Sequence, residues 1–247
     1  MFKTINALVL REVRYKEADR ILTLLTDTDG KLTVKARGAL RKSSRIAAAT
    51  QQLTWSEMTL FGNRGRWSVN EAAVNEGFDG LRTDMEKLAL GAYFAECMEA
   101  LSVEDQPEPE LLQLGLNCLY ALSRGLHPAE KIKAAFETRL MCLSGYAPEL
   151  SACAVCGREP ENPVLSLDYG RVCCRACAGS MGERAELGPD ALEAMRYVCS
   201  APPKQLLSFS IPDSALARLA EASEHYLLRR TERGFSTLDY WKKLRSF

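Results

Sequence analysis

Apolar and polar residues alternate with a period of two over roughly the first eighty residues, and the pattern then lengthens to that of helices. Ile5–Leu10 is a short apolar run. Arg20–Thr26 and Lys31–Arg37 flank Asp27-Thr28-Asp29-Gly30, a turn cluster whose glycine tolerates positive φ. Within the second of these runs Leu32, Val34 and Ala36 alternate with Lys31, Thr33, Lys35 and Arg37, which predicts a strand with one wet face. Leu53–Phe61 and Arg66–Val74 pair in the same way around Gly62-Asn63-Arg64-Gly65. About five short strands in this length suit a small closed barrel such as an OB-fold, although an SH3-like barrel would show a similar pattern.

From Leu81 the apolar positions fall at helical spacing. Leu81, Met85, Leu88, Ala92, Ala95 and Leu101 mark one face, and Gln106-Pro107-Glu108-Pro109 breaks it. Leu111, Leu112, Leu119 and Leu122 predict a second helix ending near Gly125, and Ile132, Phe136, Leu140 and Leu143 a third ending at Gly145. Pro189–Cys199 and Pro212–Arg230 read as two more. The expected organisation is therefore α+β: an OB-fold barrel over residues 1–80, then a helical domain over 81–247. A cysteine-rich insertion at 153–177 interrupts the second part. No obvious linker marks the boundary.

Charge adds what the pattern cannot. The net charge is zero, yet residues 1–70 carry 13 Lys and Arg against 6 Asp and Glu, and the remainder 19 against 26. Such asymmetry points to a polyanion partner for the basic part. No segment approaches the length of a membrane span, and Ile5–Leu10 is too short for a signal-peptide core, so a cytoplasmic protein with no membrane partner is expected.

Nine cysteines in a reducing compartment argue for metal ligands and buried thiols over disulfides. Cys153, Cys156, Cys174 and Cys177 form C-x2-C-x17-C-x2-C. Each C-x-x-C bends two thiolates round one ion, and two such knuckles complete a tetrahedral shell. Buried free thiols or a redox pair are the competing readings. Cys173 sits beside Cys174, but only Cys174 keeps the two-residue spacing to Cys177. Four cysteinates leave no open coordination position, so the predicted cofactor is one structural Zn2+. The chain has two histidines, and the His-x-Glu arrangement of zinc deaminases is absent.

Between Gly30 and Ser56 there is no acidic residue, while Lys35, Arg37, Arg41, Lys42 and Arg45 run off a strand into a loop. Such residues interleaved with Ser and Gly bind consecutive phosphates. Arg64 and Arg66 flank Gly65 in a second loop, and Trp67 beside them offers a face for base stacking. A solvated charged surface and core tryptophans are the plainer alternatives. No P-loop, G-x-G-x-x-G or H-E-x-x-H motif is present, so the chain is not expected to be an enzyme.

The run Ala7-Leu-Val-Leu-Arg11, with Tyr15-Lys-Glu17-Ala-Asp19-Arg-Ile-Leu22, resembles the opening of RecO proteins. Gly30-Lys-Leu-Thr-Val-Lys35-Ala-Arg37-Gly38 and its basic continuation to Arg45 are similar too. So are Gly145-Tyr146-Ala-Pro148 leading into the first knuckle, and Arg233-Gly-Phe-Ser236-Thr-Leu238. Departures are small: Gly170-Arg171 stands where many members have Gly-Gly, and the basic loop lacks a proline common in the family. The resemblance implies an OB-fold, a helical domain with a zinc finger, binding of single- and double-stranded DNA, and strand annealing. It also implies partnership with RecR, with RecF as a further candidate, in loading RecA onto strands coated by single-strand-binding protein. A zinc-ribbon transcription or translation factor is the rival reading; it would bind one defined site and would not anneal strands.

Overall fold

In a computed structural model that describes residues 1–246, the alternating segments close into a five-stranded barrel. Its strands are β1 (Phe2–Tyr15), β2 (Asp19–Thr26), β3 (Lys31–Ala36), β4 (Trp55–Asn63) and β5 (Arg66–Glu76). They follow the closed order β1-β2-β3-β5-β4, antiparallel except where β3 meets β5 in parallel at Val34–Trp67 and Lys35–Ser68. This is the OB-type barrel expected from the alternation.

β1 is fourteen residues long because it serves two neighbours. Its first half pairs with β4 from Phe2–Phe61 to Leu8–Trp55, and the rest runs along β2. A register shift between Val9 and Arg11 accommodates the change, as bulges do at barrel corners. Ile5, Ala7, Val9, Leu22, Leu24, Leu32, Val34, Met58, Leu60 and Val69 fill the interior. Leu8, Leu10 and Leu25 are also buried, on the opposite side of β1 and β2, where helices cover the wall.

Those helices are α1 (Asp79–Arg82), α2 (Met85–Leu101) and α3 (Pro109–Arg124). The single helix expected from Leu81 is two, because Asp84 breaks it. The Asp84 side chain accepts hydrogen bonds from the Glu86 and Lys87 amides and so starts α2 afresh. Met85, expected on the apolar face, is accordingly exposed at the first turn.

The chain forms two compact units. The first comprises Met1–Arg124 and the C-terminal segment from Phe235, which includes α7 (Ser236–Leu244). Leu238 and Trp241 of α7 are buried, and Phe235 meets Tyr93 of α2 edge-on with ring centroids 5.7 Å apart. The second unit, Gly125–Gly234, holds α4 (Ala129–Leu143), α5 (Gly188–Ser200) and α6 (Asp213–Thr231). It also holds a sheet of β6 (Pro163–Ser166), β7 (Arg171–Cys174) and β8 (Arg184–Glu186) in the order β7-β6-β8. Its helices share a buried ion cluster, in which Lys133 Nζ lies 2.7 Å from Glu137 and 2.9 Å from Glu224. Burial opposes the Lys133 charge, but the two carboxylates outweigh it and hold its pKa above the ordinary value.

Candidate metal centre and nucleic-acid interface

The cysteine centre is built from two knuckles. In the first, Cys153 opens a tight turn in which its carbonyl accepts from Gly157 N–H at 2.9 Å, and its own N–H donates to Arg158 O at 2.8 Å. Gly157 takes φ +71°, a conformation that side chains other than glycine's seldom adopt. The second knuckle starts at the end of β7, where Cys174 lies opposite Pro163 of β6, and continues into a short 3-10 helix over Arg175–Ser180. The turn from β6 to β7 closes on Gly170, where a side chain would meet the Tyr226 hydroxyl.

The sulfurs of Cys153, Cys156, Cys174 and Cys177 all lie within 4.8 Å of one another, and those of Cys156 and Cys174 are 3.9 Å apart. Backbone amides aim at this cluster: Cys174 N–H donates to Cys153 Sγ at 3.3 Å, and Glu161 N–H to Cys174 Sγ at 3.4 Å. Burial works against ionisation of Cys153, but the N–H groups around its sulfur prevail and bring the thiol down to about 6. For Cys177, burial and the neighbouring Cys156 and Cys153 sulfurs act together, and the thiol is pushed up to about 12. Four sulfurs crowded in this way disfavour one another's ionisation, and a cation among them would offset that repulsion. The arrangement can hold a metal ion. Cys173 is turned away by strand alternation; its sulfur is buried 3.9 Å from Val164 O, outside the four-sulfur group.

The basic residues take two different situations. Lys35 on β3 is engaged: its Nζ lies 2.8 Å from Asp19 Oδ2 and 4.9 Å from the Tyr15 ring centroid. Asp19 also accepts Gly38 N–H at 2.8 Å, and Leu40 N–H donates to Ala18 O at 2.9 Å. These bonds dock the start of the basic loop on the β1–β2 turn. The hydrogen bond from Lys35, then that from Gly38, holds the Asp19 carboxyl below the ordinary carboxylate range.

Arg37, Arg41, Lys42 and Arg45 project from that loop, and Arg64 and Arg66 from the β4–β5 hairpin. All six are exposed, and none has an ion-pair partner among the described residues. Farther along, the loop is tied down where Arg20 donates to Ala47 O at 3.0 Å and to Thr50 Oγ1 at 3.1 Å. Open cations thus stand on an ordered backbone. Trp67 follows the plainer of its two readings, that of a core tryptophan. It packs against the barrel core, with Lys3 Nζ 4.1 Å from its ring centroid.

The docked loop also brings in Arg14, Tyr15 and Lys16 at the end of β1, all exposed, which the charge run did not single out. They lie outside the acid-free stretch. The Leu40–Ala18 bond, the Asp19 contacts with Lys35 and Gly38, and the approach of Lys35 to the Tyr15 ring place them beside it.

Fold and centre together define the class: an OB-barrel protein with a helical unit carrying a four-cysteine site. Comparison with known families makes this specific. The family model Recombination protein O N terminal matches residues 1–78, and Recombination protein O C terminal matches residues 82–239. A protein of Acetivibrio thermocellus named DNA repair protein RecO is 34% identical over 97% of this chain and 96% of its own length. One of Symbiobacterium thermophilum with the same name is 30% identical over 98% and 97%, and one of Desulforudis audaxviator 41% identical over 70% and 69%. The chain belongs to the RecO family.

Proposed function

We propose that this chain is a recombination mediator for DNA repair. It binds single- and double-stranded DNA through the open cations of the barrel and anneals complementary strands. The observation that carries the reading is the set of six unpaired cations on one small barrel: Arg37, Arg41, Lys42, Arg45, Arg64 and Arg66. Phosphates displace condensed counterions when they meet such groups, and the released ions drive binding without regard to sequence. Two strands neutralised on one surface repel each other less and meet at higher local concentration. No covalent step is involved, so the protein acts as a binding partner and not as an enzyme.

Family membership supports the rest of the assignment. RecR and single-strand-binding protein are the expected protein partners, with RecF as a further one, and RecA is loaded indirectly onto the cleared strand. No helix among the described residues is long and apolar enough to cross a membrane. We place the protein in the cytoplasm, associated with the nucleoid.

The metal is zinc in this reading, held by Cys153, Cys156, Cys174 and Cys177. Tetrahedral Zn–S bonds of about 2.3 Å put sulfurs about 3.8 Å apart, and the observed Cys156–Cys174 separation of 3.9 Å matches. Zinc here supplies a structural cross-link. Arg158, hydrogen-bonded to the Cys156 sulfur, offsets part of the negative charge of a four-thiolate shell.

An annealing assay tests the function. Two complementary oligonucleotides coated with single-strand-binding protein are mixed with and without the protein. Faster pairing that is lost in the Arg37, Arg41, Lys42 and Arg45 alanine variant is the expected result. Pairing no faster than without protein would overturn the assignment.

A further inference from the structure

The barrel wall left open by the helices carries two phenylalanines that the basic loop does not explain. Four strands share one row of outward residues: Phe2 on β1 faces Phe61 on β4, Phe61 faces Ser68 on β5, and Ser68 faces Lys35 on β3. Their chain neighbours Leu60, Val69 and Val34 point inward and are buried, which fixes the row on the outside. Phe2 and Phe61 are 59% and 37% exposed, and their rings touch with centroids 5.0 Å apart. Followed along the ladder, three strand spacings of about 4.8 Å separate Phe2 from Lys35 around the curved barrel wall, so Phe2 and Phe61 are closer neighbours of the β4–β5 hairpin than of β3.

Arg66 stands two residues before Ser68 and therefore on the same face, with Arg64 at the hairpin tip beside it. Carboxylates are scarce here. Asp29 is taken by Lys3 at 2.6 Å and Asp19 by Lys35 at 2.8 Å, and the nearest on β5 is Glu71, opposite Thr59, beyond a register shift. An apolar π surface with unpaired guanidinium groups at its edge fits a polyanion with exposed aromatic faces. A nucleic-acid strand offers a partner to both the rings and the cations, whereas an uncharged protein surface would use the rings alone.

We propose that Phe2 and Phe61 form a base-stacking platform for an unpaired DNA strand, whose phosphates pass over Arg64 and Arg66. The proposal rests on the DNA-binding reading above and deepens it. Bases inside a duplex are already stacked and cannot reach such a platform, so this wall distinguishes unpaired from paired strands. A base must leave the phenylalanines as it pairs, so the annealed product is held by phosphates alone and is released more readily.

The test compares a thymidine oligonucleotide, an abasic oligonucleotide of the same length, and a duplex. Binding is measured for the wild type, for the Phe2→Ala, Phe61→Ala double variant, and for Phe61→Leu, which keeps apolar bulk. The wild type is expected to prefer the base-bearing strand over the abasic one by about tenfold or more. Both variants lose that preference, while affinity for the abasic strand and the duplex stays unchanged. A merely structural role for the pair would not move the ratio. A retained preference in the folded variants overturns the platform and leaves DNA binding intact. The same holds if the double variant only abolishes self-association in sedimentation. Failure of the wild type to bind any of the three removes the DNA reading itself. A matched RNA strand completes the set: a stronger base preference on RNA than on DNA would overturn the assignment to DNA.

Discussion

The barrel and the cysteine finger are both small β structures, yet they are held together by different means. The barrel buries a continuous interior of aliphatic side chains supplied by all five strands, and its ladder closes on itself. The finger has two strands of four residues and one of three, and its buried cluster is Cys153, Val164, Cys173, Cys174 and Ala178. Leu165, Val172 and Leu187 are buried elsewhere in the segment, but the two knuckles themselves contribute few apolar groups, and a metal cross-link would supply what they lack. Alternation suffices to specify the first; four cysteines at fixed spacing mark the second.

That contrast breaks most sharply on metal removal. Cys156→Ser or Cys174→Ser is expected to abolish metal binding, which contributes about 10–16 kcal/mol to folding in isolated zinc-finger peptides. Elemental analysis should fall from one equivalent to none, with protease cleavage appearing within residues 150–187 and amide exchange in β1–β5 unchanged. Cys173→Ser, outside the four-sulfur group, should keep the metal; its loss there with retention at Cys174 would reverse the ligand assignment.

Within the second unit, the ion cluster of α4 and α6 gives the next effect. Lys133→Met leaves Glu137 and Glu224 buried without their cation, at a cost of about 3–5 kcal/mol in denaturant unfolding. Because the folded-state pKa of Lys133 is raised, its contribution is complete below the unfolded value of about 10.4 and disappears as pH rises through the folded one. Stability measured toward alkaline pH should decline faster in the wild type than in the variant.

The barrel has its own counterpart. Leu24→Ala, a cavity among buried aliphatic neighbours, is expected to cost about 2–5 kcal/mol while metal content stays at one equivalent. Loss of metal in that variant would show that the two regions are not independently held. The smallest effect is at Asp19, whose carboxyl is exposed to solvent screening. Its depressed pKa means that the tie to Lys35 and Gly38 is whole above pH about 4 and fades as pH falls through the folded value. Asp19→Asn should hasten amide exchange at Gly38 at neutral pH and leave overall stability nearly unchanged.

The same contrast explains what could be seen in the sequence. Each barrel strand declares itself because inside and outside alternate, as in Leu32, Val34 and Ala36 against Lys31, Thr33 and Lys35. In the finger, β6 to β8 have too few residues for any period to emerge, and Pro163–Ser166 is buried at every position. There only the cysteine spacing was legible; it favoured Cys174 over Cys173, and Cys174 is the one whose sulfur joins the four-sulfur group. Helix α7 was missed although Leu238 and Trp241 stand three apart. Its burial depends on α2, more than a hundred residues earlier, which no local window contains. Four of the six open cations, Arg37, Arg41, Lys42 and Arg45, were visible as a charge run, and Arg64 and Arg66 as a second basic loop. The anchoring of Lys35 on Asp19 and the row joining Phe2 to Lys35 were not, because strand pairing between distant segments creates both.

The central claim is that the exposed cations of the basic loop contact phosphates directly. Single-strand affinity across a salt series, for the wild type and the Arg41→Ala, Lys42→Ala variant, tests it. The account predicts weaker binding to every sequence alike. The slope of log affinity against log salt should shrink by about 0.7 for each lost contact, with stability and metal content unchanged. An unaltered affinity and slope in the folded variant would contradict it.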